Sequence, residues 1–422
     1  MSGSGDATIS KCVQLKDSSR VLRASCVAGA SDANGSRASS RVSLVDDPRR
    51  IMLEKTTIGA PSPLAEHLQH FYDGVARVSD DVIDAQMSDV TQLLAYLEPR
   101  VRKLLRAEGA VFVRFVPFGS AAEKTVARRL DSVDVIVELA REKAKLSSPA
   151  AGFKRIDLKP HKDKTGSKPD PFRFGRSDDG RFLSPQRVAR CLYDVIKRSV
   201  KLNEDARIKA WAETKDSNRV GVTLLTSTQT MIDINFTPAF HVESEDCYHV
   251  TSRCAAEDCD AHALWRVVYV SREAAIVRRM READRGVHCS AYVALKALAQ
   301  VEPTLEGLAT EHIRAALLHS FDSSVDSLPR WQRATLVDCF RRLLVCLSDF
   351  YWNGSLPDFF HHDRDLLAEA PARVVARLRT RLAYLARNER EVLRVLAKRT
   401  PHAHECEGDV TSQHRAADLM QS

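Results

Sequence analysis

Phe118-Gly119-Ser120 and, a little further on, Asp131-Ser132-Val133-Asp134-Val135-Ile136-Val137 carry the strongest structural signal in this chain. An apolar run over 111–116 leads into the Gly-Ser pair, and a second apolar run follows with Asp134 at its start. Two β-rich runs joined through a Gly-Ser turn predict adjacent strands. Side chains alternate faces along a strand, so Ser132 and Asp134 share one face and Asp131 falls on the other.

Working outward, the next informative residue is Asp233. The runs 220–225 and 231–236 read as two strands around a Thr226-Ser227-Thr228-Gln229 turn. Asp233 lies inside the second run, between Ile232 and Ile234. An acid in an apolar strand interior is costly unless it is paired or binds a cation.

Composition sets the frame. The chain has 422 residues, 44% of them hydrophobic, enough for one large two-lobed unit with a full core. No apolar run reaches the roughly 18 residues of a membrane span, so no membrane association is expected. The N-terminus has scattered charges and no apolar core of a signal peptide. Ten cysteines without regular dense spacing fit reduced thiols and a cytoplasmic or nuclear location. The net charge of +7 is compatible with nucleotide phosphates or nucleic acid and decides neither.

Along the chain, residues 1–60 are rich in Ser, Ala, Gly and Asp without a period and read as a disordered tail. From 64 to 106 the apolar spacing is helical, with Pro99 expected to kink or interrupt the second helix and Gly109 to end it. Residues 143–181 are polar and basic, with Lys154, Arg155, Lys159, Lys162, Lys164 and Lys168 among prolines, and read as a long exposed loop. Ser184-Pro185 is an N-cap and first-turn pair opening a helix with Val188, Leu192, Val195, Ile196 and Val200 on its apolar stripe. A short strand at 264–270 precedes helices over 273–282, 291–300, 310–321, 336–349 and 371–397. The expected organisation is a tail to 60, a sheet lobe over 61–262, a helical lobe over 263–398 and a second tail over 399–422. Cys247, His249, Cys254, Cys259 and His262 cluster in one segment. Four of them could hold zinc, but the spacing lacks Cys-x-x-Cys, which favours a reduced surface loop. Arg373, Arg377, Arg379, Arg381 and Arg387 give the last helix a basic character, read as a solvated face or a nucleic-acid face.

Several motifs in order resemble one family. Gly119-Ser120 with Glu123 is similar to its Gly-Ser-x-x-Glu, and Val133-Asp134-Val135 falls where its acid-x-acid strand lies. Val222-Thr223-Leu224-Leu225 and Ile232-Asp233-Ile234 resemble the strand pair bearing its third carboxylate, continued by Thr237-Pro238-Ala239-Phe240. Leu264-Trp265-Arg266 with Ser271 and Glu273, then Leu295-Lys296, His312-Ile313-Arg314, Trp331 with Cys339-Phe340, and 358–367 follow in order. Over roughly 65–385 the chain resembles the nucleotidyltransferase-fold group of cyclic GMP-AMP synthase (cGAS), the cGAS-like receptors and the Mab-twenty-one proteins.

That resemblance implies an α/β fold: a nucleotidyltransferase-type mixed sheet lobe followed by an all-helical C-terminal lobe, with the cleft between them. It implies that Gly119, Ser120 and Lys296 hold the phosphates of ATP or GTP. It further implies that Asp134 and Asp233, as catalytic and metal-binding residues, hold Mg²⁺ or Mn²⁺. In the family a further acid stands two residues before Asp134. Here that position is Ser132, so Asp131 is the candidate replacement, through a β-bulge that re-aims it. Glu311 stands where the family has a base-stacking aromatic. Only His288 and Cys289 occupy the region of the vertebrate zinc insertion, too few for a tetrahedral site, so zinc is not expected. Two functional classes follow. One is a nucleotidyltransferase of the innate-immunity type, making a cyclic or linear dinucleotide on sensing double-stranded RNA. The other is a catalytically degenerate nucleotide-binding or adaptor protein working through protein partners, as the mitochondrial-dynamics adaptors of this fold do.

Overall fold

The computed structural model describes residues 62–140, 145–158, 173–201, 208–212, 220–251, 263–322 and 334–400. The expected tail 1–60, all but Arg399 and Thr400 of the expected tail 399–422, and Lys159, Lys162, Lys164, Lys168, Cys254, Cys259, His262 and Trp331 lie outside these residues; Arg399 instead ends the last helix.

The chain enters through α1 (Pro63–Phe71), a π-helical turn at Tyr72–Ala76, and α2 (Asp80–Ala107). Ser62 and Ser79 cap the two helices by accepting bonds from Ala65 N and Val82 N. Pro99 lies inside α2 and does not interrupt it; of the expected kink or interruption, the interruption does not occur. A proline inside a helix costs about 3 kcal/mol, and the buried stripe Leu93, Leu94, Leu97, Val101 and Leu105 on both sides of it outweighs that cost. Gly109, at φ +89°, follows the last turn and redirects the chain.

Nine strands form one mixed sheet among the described residues. They are β1 (Phe112–Phe118), β2 (Ser132–Leu139), β3 (Lys145–Ala150), β4 (Phe153–Asp157), β5 (Ile208–Ala212), β6 (Val220–Leu225), β7 (Met231–Val242), β8 (Cys247–Thr251) and β9 (Leu264–Val268). The order is β1-β2-β7-β8-β9-β4-β3, with β6 and β5 branching from β7. The branch exists because β7 is long. Its first half, Met231 to Phe236, pairs with β6, and its last residues, Ala239 to Val242, pair with β8. Along its other edge it pairs in parallel with β2. The other ladders are antiparallel.

Two departures from the sequence reading fall in this lobe. The expected loop over 143–181 contains the β3–β4 hairpin, with Lys154 and Arg155 in strand. Cys247 and His249 sit in β8, both fully buried, rather than in a surface loop. Burial pushes the Cys247 thiol up to about 12. Helix α4 (Pro185–Lys201) covers the sheet with Val188, Leu192, Val195, Ile196 and Val200, as its periodicity predicts. Trp265 is the largest fully buried side chain, and its indole N–H donates to Leu183 O at 2.9 Å.

The helical lobe comprises α5 (Val270–Asp284), α6 (Val287–Val301), α7 (Thr310–Asp322), α8 (Leu336–Asn353), α9 (Ala372–Arg387) and α10 (Glu389–Arg399). The single helix expected over 371–397 is two, broken at Asn388, whose side chain accepts from Glu391 N to start α10. Leu64, Leu68 and Phe71 of α1 join the core of this lobe, so the chain's first helix packs with its last ones. The sheet has its own apolar cluster, built on α2, α4 and the strands.

Candidate functional site

The Gly-Ser turn opens α3 (Gly119–Ala122), a single helical turn directly after β1. Gly119 has φ +72°, a left-handed conformation that disfavours any side chain. A Cβ there would meet Asp134 Oδ2 at an ordinary 3.6 Å, so conformation rather than space requires the glycine. The turn is closed by Glu123 N to Gly119 O (3.0 Å) and Thr125 N to Ser120 O (2.8 Å).

Lys296 reaches this turn from the helical lobe. Its ammonium donates to Ser120 Oγ at 2.8 Å and to Thr125 O at 3.0 Å. The side chain is buried, and burial together with the nearby Arg314 guanidinium pulls its pKa down to about 8, against the opposing pull of Glu123 and Asp134. Gly119, Ser120 and Lys296, far apart in the chain, therefore meet at one point.

The acids are arranged differently. Val133 and Val135 are fully buried, while Ser132 and Asp134 face the opposite side of β2. In the parallel ladder Ser132 is registered with Asp233 and Asp134 with Asn235. The four side chains thus share one sheet face, with Ile232, Ile234 and Phe236 on the buried one. Asn235 Nδ2 donates to Asp134 Oδ1 at 3.0 Å, and Thr223 Oγ1 donates to Asp233 Oδ1 at 2.6 Å. The ladder runs unbroken from Ser132 to Leu139, so no bulge re-aims Asp131. Its side chain is exposed and ion-paired with Arg129 at 2.5 Å, although its carbonyl still accepts from Asp233 N.

Mg²⁺ in a two-ion site needs several carboxylate oxygens converging on shared ions. The donor set here does not fit that arrangement: the first position is a neutral hydroxyl, and Asp131 is turned into an ion pair. Among the described residues, the one trio of His, Cys, Asp or Glu whose ligand atoms all lie within 4.8 Å is Asp284, His288 and Cys339, on three helices of the helical lobe. In that trio Asp284 caps α6 by accepting from Gly286 N and His288 N, both at 2.8 Å. Cys339 Sγ lies 3.6 and 3.4 Å from the two ring nitrogens of His288. Near-equal distances put the sulfur over the ring, off both lone-pair directions.

Beside the Gly-Ser turn stands a buried ion network that the sequence reading did not find. Arg314 donates to both oxygens of Glu123 (2.7 and 2.6 Å) and to Glu273 (2.7 Å). Burial would lower the Arg314 pKa, but the two carboxylates hold it well above the ordinary value. Burial pushes the Glu273 carboxyl up, and Tyr292, fully buried alongside, is pushed up to about 12. Arg281 donates to Glu123 O. Glu123 lies three residues after Ser120, so the network ties the turn to α5 and α7. Arg314 is thereby committed to structure, and His312 is buried against the Tyr351 hydroxyl at 2.7 Å. The Gly-Ser-x-x-Glu spacing was the available signal for Glu123; nothing in the sequence marked Asn235 or Thr223.

A mixed sheet with a Gly-Ser turn and acids on neighbouring parallel strands, followed by a helical lobe, is a nucleotidyltransferase-type architecture. Residues 288–384 match the family model of the Mab-21 protein HhH/H2TH-like domain. The chain is also similar to the mitochondrial dynamics protein MID49 of Xenopus laevis, 24% identical over 330 residues, covering 75% of this chain and 67% of that protein. The two matches support a Mab-21-like protein of nucleotidyltransferase fold.

Proposed function

We propose that this protein keeps the phosphate-holding half of a nucleotidyltransferase site without its two-metal half. It binds a nucleoside phosphate such as ATP or GTP at Gly119, Ser120 and Lys296, does not transfer it, and acts through protein partners. The observation that carries this reading is Ser132 at the first carboxylate position, with Asp131 paired to Arg129 and no bulge to bring it back. The turn supplies backbone N–H groups and a hydroxyl, and Lys296 a cation, which together suit phosphate oxygens. In this reading Mg²⁺ or Mn²⁺ arrives with the nucleotide.

A second reading, an enzyme joining nucleotides on sensing double-stranded RNA, draws on Asp134 and Asp233 standing on one face of adjacent parallel strands. One experiment separates the two. Purified full chain is incubated with labelled ATP and GTP, Mg²⁺ or Mn²⁺, with and without double-stranded RNA, beside Asp134→Asn and Asp233→Asn. Equilibrium dialysis reads binding in the same samples. The proposal expects saturable nucleotide binding, weakened by Lys296→Met, and no product. An oligonucleotide product that disappears in both Asp variants overturns it in favour of the enzyme.

A further inference from the structure

On the helical lobe, the α8–α9 pair carries exposed aromatic side chains beside arginines that meet no carboxylate among the described residues. Trp352, at the end of α8, is 52% exposed, and Tyr384 of α9 is 50% exposed. Val345, seven residues before Trp352 on the same helix face, is also exposed. Single exposed apolar side chains are ordinary; what distinguishes this place is the charge beside Trp352.

The charge around them is specific. Arg379 and Arg387 reach the Trp352 ring, with guanidinium carbons 4.5 and 5.9 Å from its centroid. Other arginines of the region are spent internally. Arg381 pairs with Glu391 at 2.7 Å, Arg394 with Glu391 at 2.7 Å and Arg341 with Glu389 at 2.5 Å. Arg373, Arg379, Arg387 and Arg390 meet no carboxylate among the described residues. At 100° per residue, Arg373, Thr380, Tyr384 and Arg387 fall within about 60° of one another on α9. Leu378, Leu382 and Leu385 occupy the opposite, buried side. The outward stripe from Arg373 to Arg387 is about 21 Å long. Trp, Tyr and Arg are also the residue types in which interface binding energy concentrates.

We propose that the α8–α9 face docks an acidic, amphipathic segment of a partner protein. Its carboxylates would meet Arg373, Arg379 and Arg387, and its apolar side chains would cover Trp352, Tyr384 and Val345. Charge complementarity selects an acidic occupant, and the aliphatic and aromatic surface between the arginines selects a protein segment over a polyphosphate backbone. The inference extends the partner-dependent reading above but uses none of the candidate-site residues, so the two fail separately.

The test uses the full chain and a fluorescent 15-residue probe peptide, helical by design, with Glu on one face and Leu on the other. A version with Gln for Glu and a 20-nucleotide single-stranded RNA serve as comparators. Saturable, salt-sensitive binding of the Glu peptide is expected, at least tenfold weaker for the Gln peptide. Trp352→Ala and the double variant Arg379→Glu/Arg387→Glu should each weaken it at least tenfold, with nucleotide binding and circular dichroism unchanged. Unchanged circular dichroism is the control that each variant is folded. Absence of saturable binding, binding indifferent to both variants, or tighter binding of the RNA lost in the same variants overturns the proposal; the last outcome would make this a nucleic-acid face.

Discussion

Replacing Lys296 with methionine should make the protein more stable at neutral pH while weakening the nucleotide binding proposed above. Lys296 is buried, and its pKa falls from an ordinary 10.5 to about 8. The sign follows from proton counting. Between pH 8 and 10.5 the unfolded chain holds a proton that the folded one has released, so stability rises with pH across that window. Below pH 8 both states are protonated and the folded protein carries the whole cost. At 1.36 kcal/mol per unit, that cost is about 3 kcal/mol. Methionine of similar length avoids it but forfeits the bonds to Ser120 Oγ and Thr125 O, each worth about 1 kcal/mol net. The expected gain for Lys296→Met is therefore about 1–2 kcal/mol at pH 7, shrinking toward zero or reversing near pH 10 as the wild-type lysine neutralises. Urea unfolding followed by circular dichroism at pH 7, 8.5 and 10 measures it. A variant that is less stable at pH 7, by an amount that does not change with pH, would refute the reasoning, because it would mean the ammonium is a net structural asset. Nucleotide affinity of the wild type should in turn fall as pH rises through 8 and beyond, and that pH dependence should vanish in the variant.

Arg314→Met should destabilise by about 3–5 kcal/mol in urea titrations, because it strands Glu123 and Glu273 without their shared partner. The same loss should ease toward acid pH, where the raised carboxyl of Glu273 takes up its proton first. Ser132→Asp should create a carboxylate two residues from Asp134 and registered with Asp233, raising Mn²⁺ affinity at least tenfold by electron paramagnetic resonance. Trp265→Ala, which empties the largest fully buried side chain and orphans Leu183 O, should cost about 3–5 kcal/mol by the same unfolding assay.

Much of the architecture was legible because its residues obey local periods. Val133 and Val135 alternate with Ser132 and Asp134, and α4 repeats its apolar stripe at helical spacing, so both elements follow from pattern alone. Pro99 misled because burial on both sides of it exceeds a local penalty that the sequence displays openly. The helix expected over 371–397 misled in the opposite sense: Asn388 breaks a run whose periodicity hardly changes. The β3–β4 hairpin was hidden by its polarity: β3 is mostly exposed, β4 is half-buried with only Ile156 fully inside, and neither carries a clear alternation. In the site, Ser120 and Asp134 could be placed from local motif alone. The Arg314–Glu123–Glu273 network could not, because a buried charge and its partner come from elements almost two hundred residues apart and neither shows a period.

The two halves of the candidate site therefore answer different physical demands. A phosphate cradle needs one left-handed glycine, one hydroxyl and one cation, and all three are held here by contacts that reach into the helical lobe. Lys296 bonds the turn directly, and Arg314 anchors Glu123 behind it. A two-ion site needs carboxylates forced together against their mutual repulsion, which is stabilising only when the ions are present. Ser132 removes that repulsion beside Asp134 and Asp233, and Asn235 and Thr223 supply neutral donors to the two acids that remain. Each of these differences lowers the cost of the metal-free state. Keeping Lys296, by contrast, costs stability. A relaxed metal face beside a retained, expensive buried ammonium against Ser120 is the combination that the proposed anion-holding, non-transferring reading expects.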